Sequence, residues 1–234
     1  MKTFIKTFTV ATMVLVFFGC EPEEDTVPLV VNQSFTESEL MELVDQSIFA
    51  DPNGRYRPAV SFEPVIDPIN ENQQVGNSVL IRFHNGVGMG WKSNQTPKHT
   101  ATMWWVIFNK PENCDGDCSG ADLAKDDVDA DLMIATGGIV SNNGVVTFAA
   151  HLKEGDITGS YINEFFGLDR VGLVDSENAE IHLVARSHGP KIPGEVDAQT
   201  SSFAGGCTMF FDPFTVIPVA LGECGDIQFS VYRP

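Results

Sequence analysis

Positive charge is scarce in this 234-residue chain: 14 lysines and arginines stand against 32 aspartates and glutamates, a formal net charge of −18. A surface this negative repels nucleic-acid phosphates and anionic lipid headgroups, so nucleic acid is excluded as a partner; cations, basic partners or plain solvation fit it. Histidine is scarce too, with five residues and no H-x-H or H-x-x-x-H pair, so the short-range chelates of copper and zinc enzymes are missing. Neither G-x-S-x-G nor H-E-x-x-H occurs. Their absence removes the nucleophile elbow of α/β-hydrolases and the helical zinc-protease site. Five cysteines are present without any C-x2-C spacing, which argues against a zinc ribbon.

Long apolar runs are also lacking, apart from Val10 to Phe18, which falls short of the roughly 20 residues that a spanning helix needs. Lys2 and Lys6 precede that run, Gly19-Cys20 ends it, and Glu21, Glu23, Glu24 and Asp25 follow. This order predicts a bacterial lipoprotein signal, with residues 1–19 removed and Cys20 acylated, so the chain meets the membrane through lipid. Phe17 and Phe18 stand where leucine and a small residue are commoner. Cleavage would leave 12 basic against 32 acidic residues, a formal charge of −20. The acidic run after Cys20 resembles the export signal of surface-exposed lipoproteins in some diderm bacteria. The expected address is the outer membrane, facing the cell surface, with the periplasmic face as the alternative.

Residues 20–33 are acidic, carry Pro22 and Pro28 and show no periodicity, which predicts a tether. Residues 34–234 are expected to form one domain. Thr36 and Glu39 match a capping box, and Leu40, Leu43, Val44 and Ile48 recur at helical spacing before Asp51-Pro52-Asn53-Gly54, so one amphipathic helix opens it. The rest reads as strand. Val79, Ile81 and Phe83 alternate with Leu80, Arg82 and His84, and Ile227, Phe229 and Val231 with Gln228, Ser230 and Tyr232. Met103 to Phe108 is apolar throughout, which predicts a central strand covered on both faces. Leu132–Val140 and Val145–Leu152 flank the hairpin turn Asn142-Asn143-Gly144, and 181–187 makes another strand. About seven short strands separated by Gly and Pro turns predict an all-β fold, an antiparallel β-sandwich or partly open barrel.

With Cys20 acylated, Cys114, Cys118, Cys207 and Cys224 remain, an even number in an oxidising compartment. Four cysteines allow three pairings; Cys114 with Cys118 and Cys207 with Cys224 is expected, because each pair brackets a turn-rich segment. Asp115-Gly116-Asp117-Cys118-Ser119-Gly120, with Asp126 at the twelfth position, partly matches a calcium loop, giving Asp115, Asp117, Ser119 and Asp126 as candidate ligands. Against it, position twelve is Asp rather than Glu, position eight is Asp122 where an apolar residue is usual, and a disulfide would constrain the loop; an acidic surface loop is the favoured reading.

His84 and His99 would sit together at the mouth of an 85–98 loop if residues 78–84 and 100–108 paired as a hairpin, and His188 would join them if its strand pointed the same way. Such a cluster suits a transition metal or acid–base work; structural histidines are the favoured reading. Arg186, His188, Glu195 and Asp197 surround a long loop, 189–206, and form a candidate ligand lip, with a salt-bridged loop as the plainer reading. Gly86-Val-Gly-Met-Gly-Trp-Lys92-Ser93 has the look of a phosphate loop, but Trp91 replaces a needed glycine; that tryptophan reads as a packing anchor before a sugar platform.

Trp104-Trp105-Val-Ile-Phe-Asn109, the run Glu180 to Gly194, and Cys224-Gly-Asp226-Ile-Gln-Phe229 resemble an uncharacterised family of secreted bacterial β-sandwich proteins, over roughly residues 75–232. More distantly, Ser187-His188-Gly189-Pro190 is similar to the H-I-H-G-P segment of chordin-type CHRD domains, with Arg186 in place of the first histidine. The leading expectation is a non-enzymatic surface module for a ligand, surface polymer or partner protein. The alternative is a metal-binding protein or metal-dependent enzyme using His84, His99 and His188.

Overall fold

The structure, a computed structural model, describes residues 58–68, 72–94, 99–141, 143–194, 196–201 and 225–234. The signal segment, Cys20, the tether, the helix expected from Thr36, and Glu195, Cys207 and Cys224 lie outside the described residues.

Eight strands form one antiparallel sheet: β1 (Ala59–Asp67), β2 (Gln73–Phe83), β3 (Gly86–Asn94), β4 (His99–Phe108), β5 (Ala130–Ile139), β6 (Val145–Lys153), β7 (Glu180–Pro190) and β8 (Gly225–Tyr232). Their order is β5-β4-β7-β8-β1-β2-β3-β6. The fold is therefore all-β, and the sheet curls into a nearly closed barrel. Its thinnest join is β8 to β1, held by the single pair Ile66 and Phe229. β5 and β6 are the two edges, brought side by side by the turn at 140–144. That turn is where the asparagine–glycine signal put it, with Gly144 at φ +79°. The expected hairpin ladder does not follow: β5 pairs with β4 and β6 with β3. The turn joins the edges of the rolled sheet instead of closing a ladder.

Residues 86–94, expected to be a glycine-rich loop, are a strand. Val87, Met89 and Trp91 alternate with Gly86, Gly88 and Gly90, and the apolar set enters the core while the glycines take the other face. Trp91 is fully buried and donates from Nε1 to Ser93 Oγ at 3.0 Å, so it anchors packing and offers no platform for a sugar. The strand also overturns the hairpin expected between residues 78–84 and 100–108. β2 turns at His84-Asn85 into β3, and β4 lies between β5 and β7.

All ten residues of β4 are buried, as its unbroken apolar run predicts. Ala101, Met103, Trp105 and Ile107 face the barrel interior with Leu80, Met89, Phe148 and Leu183. Trp104, Val106 and Phe108 face outward and need a second cover. Two connections supply it. The β4–β5 connection brings Cys118, Leu123 and Val128, and the β6–β7 connection brings Ile162 of the short helix α1 (Ile162–Phe166), with Tyr161 edge-on to Trp104 at 5.4 Å between ring centroids. The buried carboxylate of Asp131 holds the second connection in place: Oδ1 accepts from Ser160 Oγ (2.6 Å), and Oδ2 from the amides of Val171 (3.0 Å) and Gly172 (2.7 Å). A second short helix, α2 (Val196–Thr200), packs on β5 so closely that a β-carbon on Gly137 would lie 2.6 Å from Thr200.

Trp105 is 1% exposed in the middle of the interior. Trp105→Ala is expected to destabilise the fold by about 3–5 kcal/mol, read as a lowered midpoint in urea unfolding; a loss below about 1 kcal/mol would mean that the interior is not packed on this side chain.

Candidate functional site

Between β4 and β5 the chain makes three short 3-10 turns, at Pro111–Asn113, Gly120–Ala124 and Asp126–Val128. Cys114 and Cys118 are disulfide-bonded, as expected, with their Cα atoms 5.2 Å apart. The carboxylate that organises this loop is Asp122, which is 2% exposed. Its Oδ1 accepts from the Asp115 amide (3.2 Å) and its Oδ2 from the Ser119 amide (2.9 Å) and hydroxyl (2.8 Å). Lys125 Nζ lies 2.7 Å from both Asp122 and Asp115. Burial by itself would raise the Asp122 pKa, but Lys125 and the amide and hydroxyl donors outweigh it and hold the pKa down to about 2.

Three of the four candidate calcium ligands meet protein partners in this arrangement. An ammonium, Lys125, bridges two carboxylates of the loop. Of the candidate ligands, Asp115 is engaged with Lys125, Asp117 with Arg233 (3.1 Å) and Ser119 with Asp122, while Asp126 is exposed at the start of the last 3-10 turn. Among the described residues, no group of three or more His, Cys, Asp or Glu side chains is placed to hold a metal ion.

The three candidate metal histidines do not converge. His84 lies exposed in the β2–β3 turn, whereas His99 opens β4 at the opposite end, where its carbonyl accepts from the Val140 amide at 2.9 Å. His99 and His188 share one end of the barrel but face opposite sides of the sheet. His99 points inward, with Nδ1 2.6 Å from Ser187 Oγ, and burial lowers its pKa. His188 points outward, with Nε2 2.8 Å from Thr102 Oγ1, which also accepts from Trp104 Nε1 at 2.7 Å.

Of the ligand-lip residues, Arg186 and His188 share one face of β7, and Glu195 lies outside the described residues. β7 runs on through Pro190, and α2 turns back against it through Gln199, whose Nε2 donates to the Pro190 carbonyl (3.1 Å) and whose Oε1 accepts from the Ile192 amide (2.9 Å). Asp197 is exposed on α2. Arg186 lines a cavity.

That cavity, about 370 Å³, lies outside the barrel between the disulfide loop and the outer faces of β7 and β8. Trp104, Val106, Leu132 and Val184 form its floor, Phe229 and Val231 one wall, and Cys118 and Leu123 the other. Charged groups stand at its ends. Arg186 Nη1 is 2.8 Å from Asp226 Oδ1 at one end. At the other, Arg233 meets Asp117, and His182 Nε2 is 2.7 Å from Glu180 Oε1. Asp226 and Arg233 were not among the candidate site residues. The available signal was period two along β7, which sets His182, Val184 and Arg186 on one face; that the disulfide loop lies over that face is a tertiary fact.

No protein-family model, curated protein or solved structure matches this chain.

The Asp122 carboxyl, normally at 3.8, titrates near 2 in the folded protein, so the stability that it contributes is complete above pH 3.8 and is lost as pH falls through about 2. Asp122→Asn is therefore expected to lower stability by roughly 1–3 kcal/mol at neutral pH, and most of the difference from wild type should be gone by pH 2. Urea unfolding across that pH range measures it, and a difference that persisted unchanged at pH 2 would remove the carboxylate's charge from the explanation.

Proposed function

We propose that this protein is a lipid-anchored, extracytoplasmic binding module that holds a small amphipathic group in the cleft between the disulfide loop and β7–β8. That group belongs to a free ligand, a surface polymer or a partner protein. The cleft carries this reading: its size falls within the range of small-molecule sites, about 300–1,000 Å³, and its floor is apolar and aromatic with a few polar groups at the ends. Binding is favoured over catalysis because the charged groups around the cleft are engaged with one another, Arg186 with Asp226, Arg233 with Asp117 and His182 with Glu180. The anchor rests on the segment from Lys2 to Asp25. No helix among the described residues is long and apolar enough to cross a membrane. We place the module on the outer membrane, at the cell surface, because acidic residues follow Cys20 at once.

A neutral apolar dye, N-phenyl-1-naphthylamine, is expected to gain fluorescence at one saturable site on the purified protein. Val184→Trp, which fills the floor, should abolish that site while near-ultraviolet circular dichroism reports an intact fold. Dye binding that survives Val184→Trp would place the site elsewhere. For the anchor, cells fed labelled palmitate should label the wild-type chain and not Cys20→Ser, and equal labelling of both would remove Cys20 as the attachment point.

A further inference from the structure

The cleft is elongated and its two ends differ. His182, Val184 and Arg186 follow one another on one face of β7, which at about 3.3 Å per residue separates the charged ends by about 13 Å. At the far end, Arg233 and Asp117 are 56% and 86% exposed, an ion pair of the kind that solvent keeps weak and that opens readily. The near end is locked. The Arg186 side chain is 1% exposed, whereas Asp226, its partner at 2.8 Å, is 19% exposed. Both side chains line the cleft at that end, and the carboxylate is the more exposed of the two.

Taking the cleft as the binding site proposed above, we infer that its ligand is an amphipathic cation: an ammonium or guanidinium head against Asp226, with an apolar body along Val184, Phe229, Val106 and Trp104. An anion would have to reach a guanidinium that is almost wholly covered. A cation needs only to approach the accessible oxygen surface. The field of the whole chain acts in the same direction, since a formal charge of −18 concentrates cations and repels anions at the cleft mouth. The apolar floor supplies affinity and the carboxylate supplies orientation.

Three matched probes separate these contributions: 4-phenylbutylamine, 4-phenylbutan-1-ol and 4-phenylbutanoate, titrated at low ionic strength against the isotope-labelled protein, with the amide shifts of Val184 and Phe229 as readout. The amine is expected to bind at least about tenfold more tightly than the alcohol, and the carboxylate most weakly. Salt raised to about 1 M, where the screening length is about 3 Å, should bring the amine towards the alcohol. If alcohol and carboxylate bind as tightly as the amine, the cleft stands as a binding site and the cation inference falls. If no probe shifts these amides, the cleft itself is overturned as a site, and the inference with it. Asp226→Asn should weaken the amine by about tenfold and leave the alcohol unchanged. Because that variant leaves Arg186 buried without its carboxylate, circular dichroism must first show it folded; if it is not, the wild-type ranking and its salt dependence decide.

Discussion

The structure depends on β4 having to be covered twice. A strand that reads Thr-Met-Trp-Trp-Val-Ile-Phe from Thr102 to Phe108 has large side chains on both faces, and each face must leave water. Curling the sheet buries Met103, Trp105 and Ile107, but no curl of a single sheet covers Trp104, Val106 and Phe108 as well. The β4–β5 and β6–β7 connections are therefore recruited as a partial second layer. Each is held by a buried carboxylate with several donors, Asp122 for the disulfide loop and Asp131 for the segment around α1. A buried carboxylate is stable only when its oxygens are satisfied, so these two residues fix the loops as firmly as the apolar contacts do.

Among the described residues, the second layer stops short of β8, and the cleft is the result. Loop side chains cover Trp104 and Leu132 from one side, while β7 and β8 continue past the loop's edge and leave Val184, Phe229 and Val231 partly open. Ion pairs line the ends because the strands carry charges at the limits of the apolar strip and the cover provides only Asp117 opposite Arg233. The binding reading thus follows from incomplete coverage of a sheet whose apolar surface extends beyond its loops.

Period-two alternation identified β8 and much of β2 from their residues, and the unbroken run in β4 announced a strand buried on both faces. The same rule would have found β3, had the alternation of glycine with Val87, Met89 and Trp91 been given more weight than glycine's preference for loops. Candidate sites were harder to read. The Asp115–Asp126 spacing matched a calcium loop, yet spacing carries no information on Lys125, whose ammonium reaches Asp115 and Asp122. His84 and His99 are 15 positions apart, and whether that distance means neighbours or opposite ends depends on whether one strand or none lies between them.

The sequence by itself determined what is local: the strand periods, the asparagine–glycine turn, the short-range disulfide and the surplus of acid. These features involve residues within a few positions of one another, where backbone geometry leaves few choices. Tertiary structure decided the strand order, the face on which each histidine lies, and the placing of the disulfide loop over β7 and β8. Each of these pairs residues far apart in the chain, such as Arg186 with Asp226 or Asp117 with Arg233. Long-range pairing is selected by how well whole faces bury one another, a property of the assembled sheet that no single segment contains.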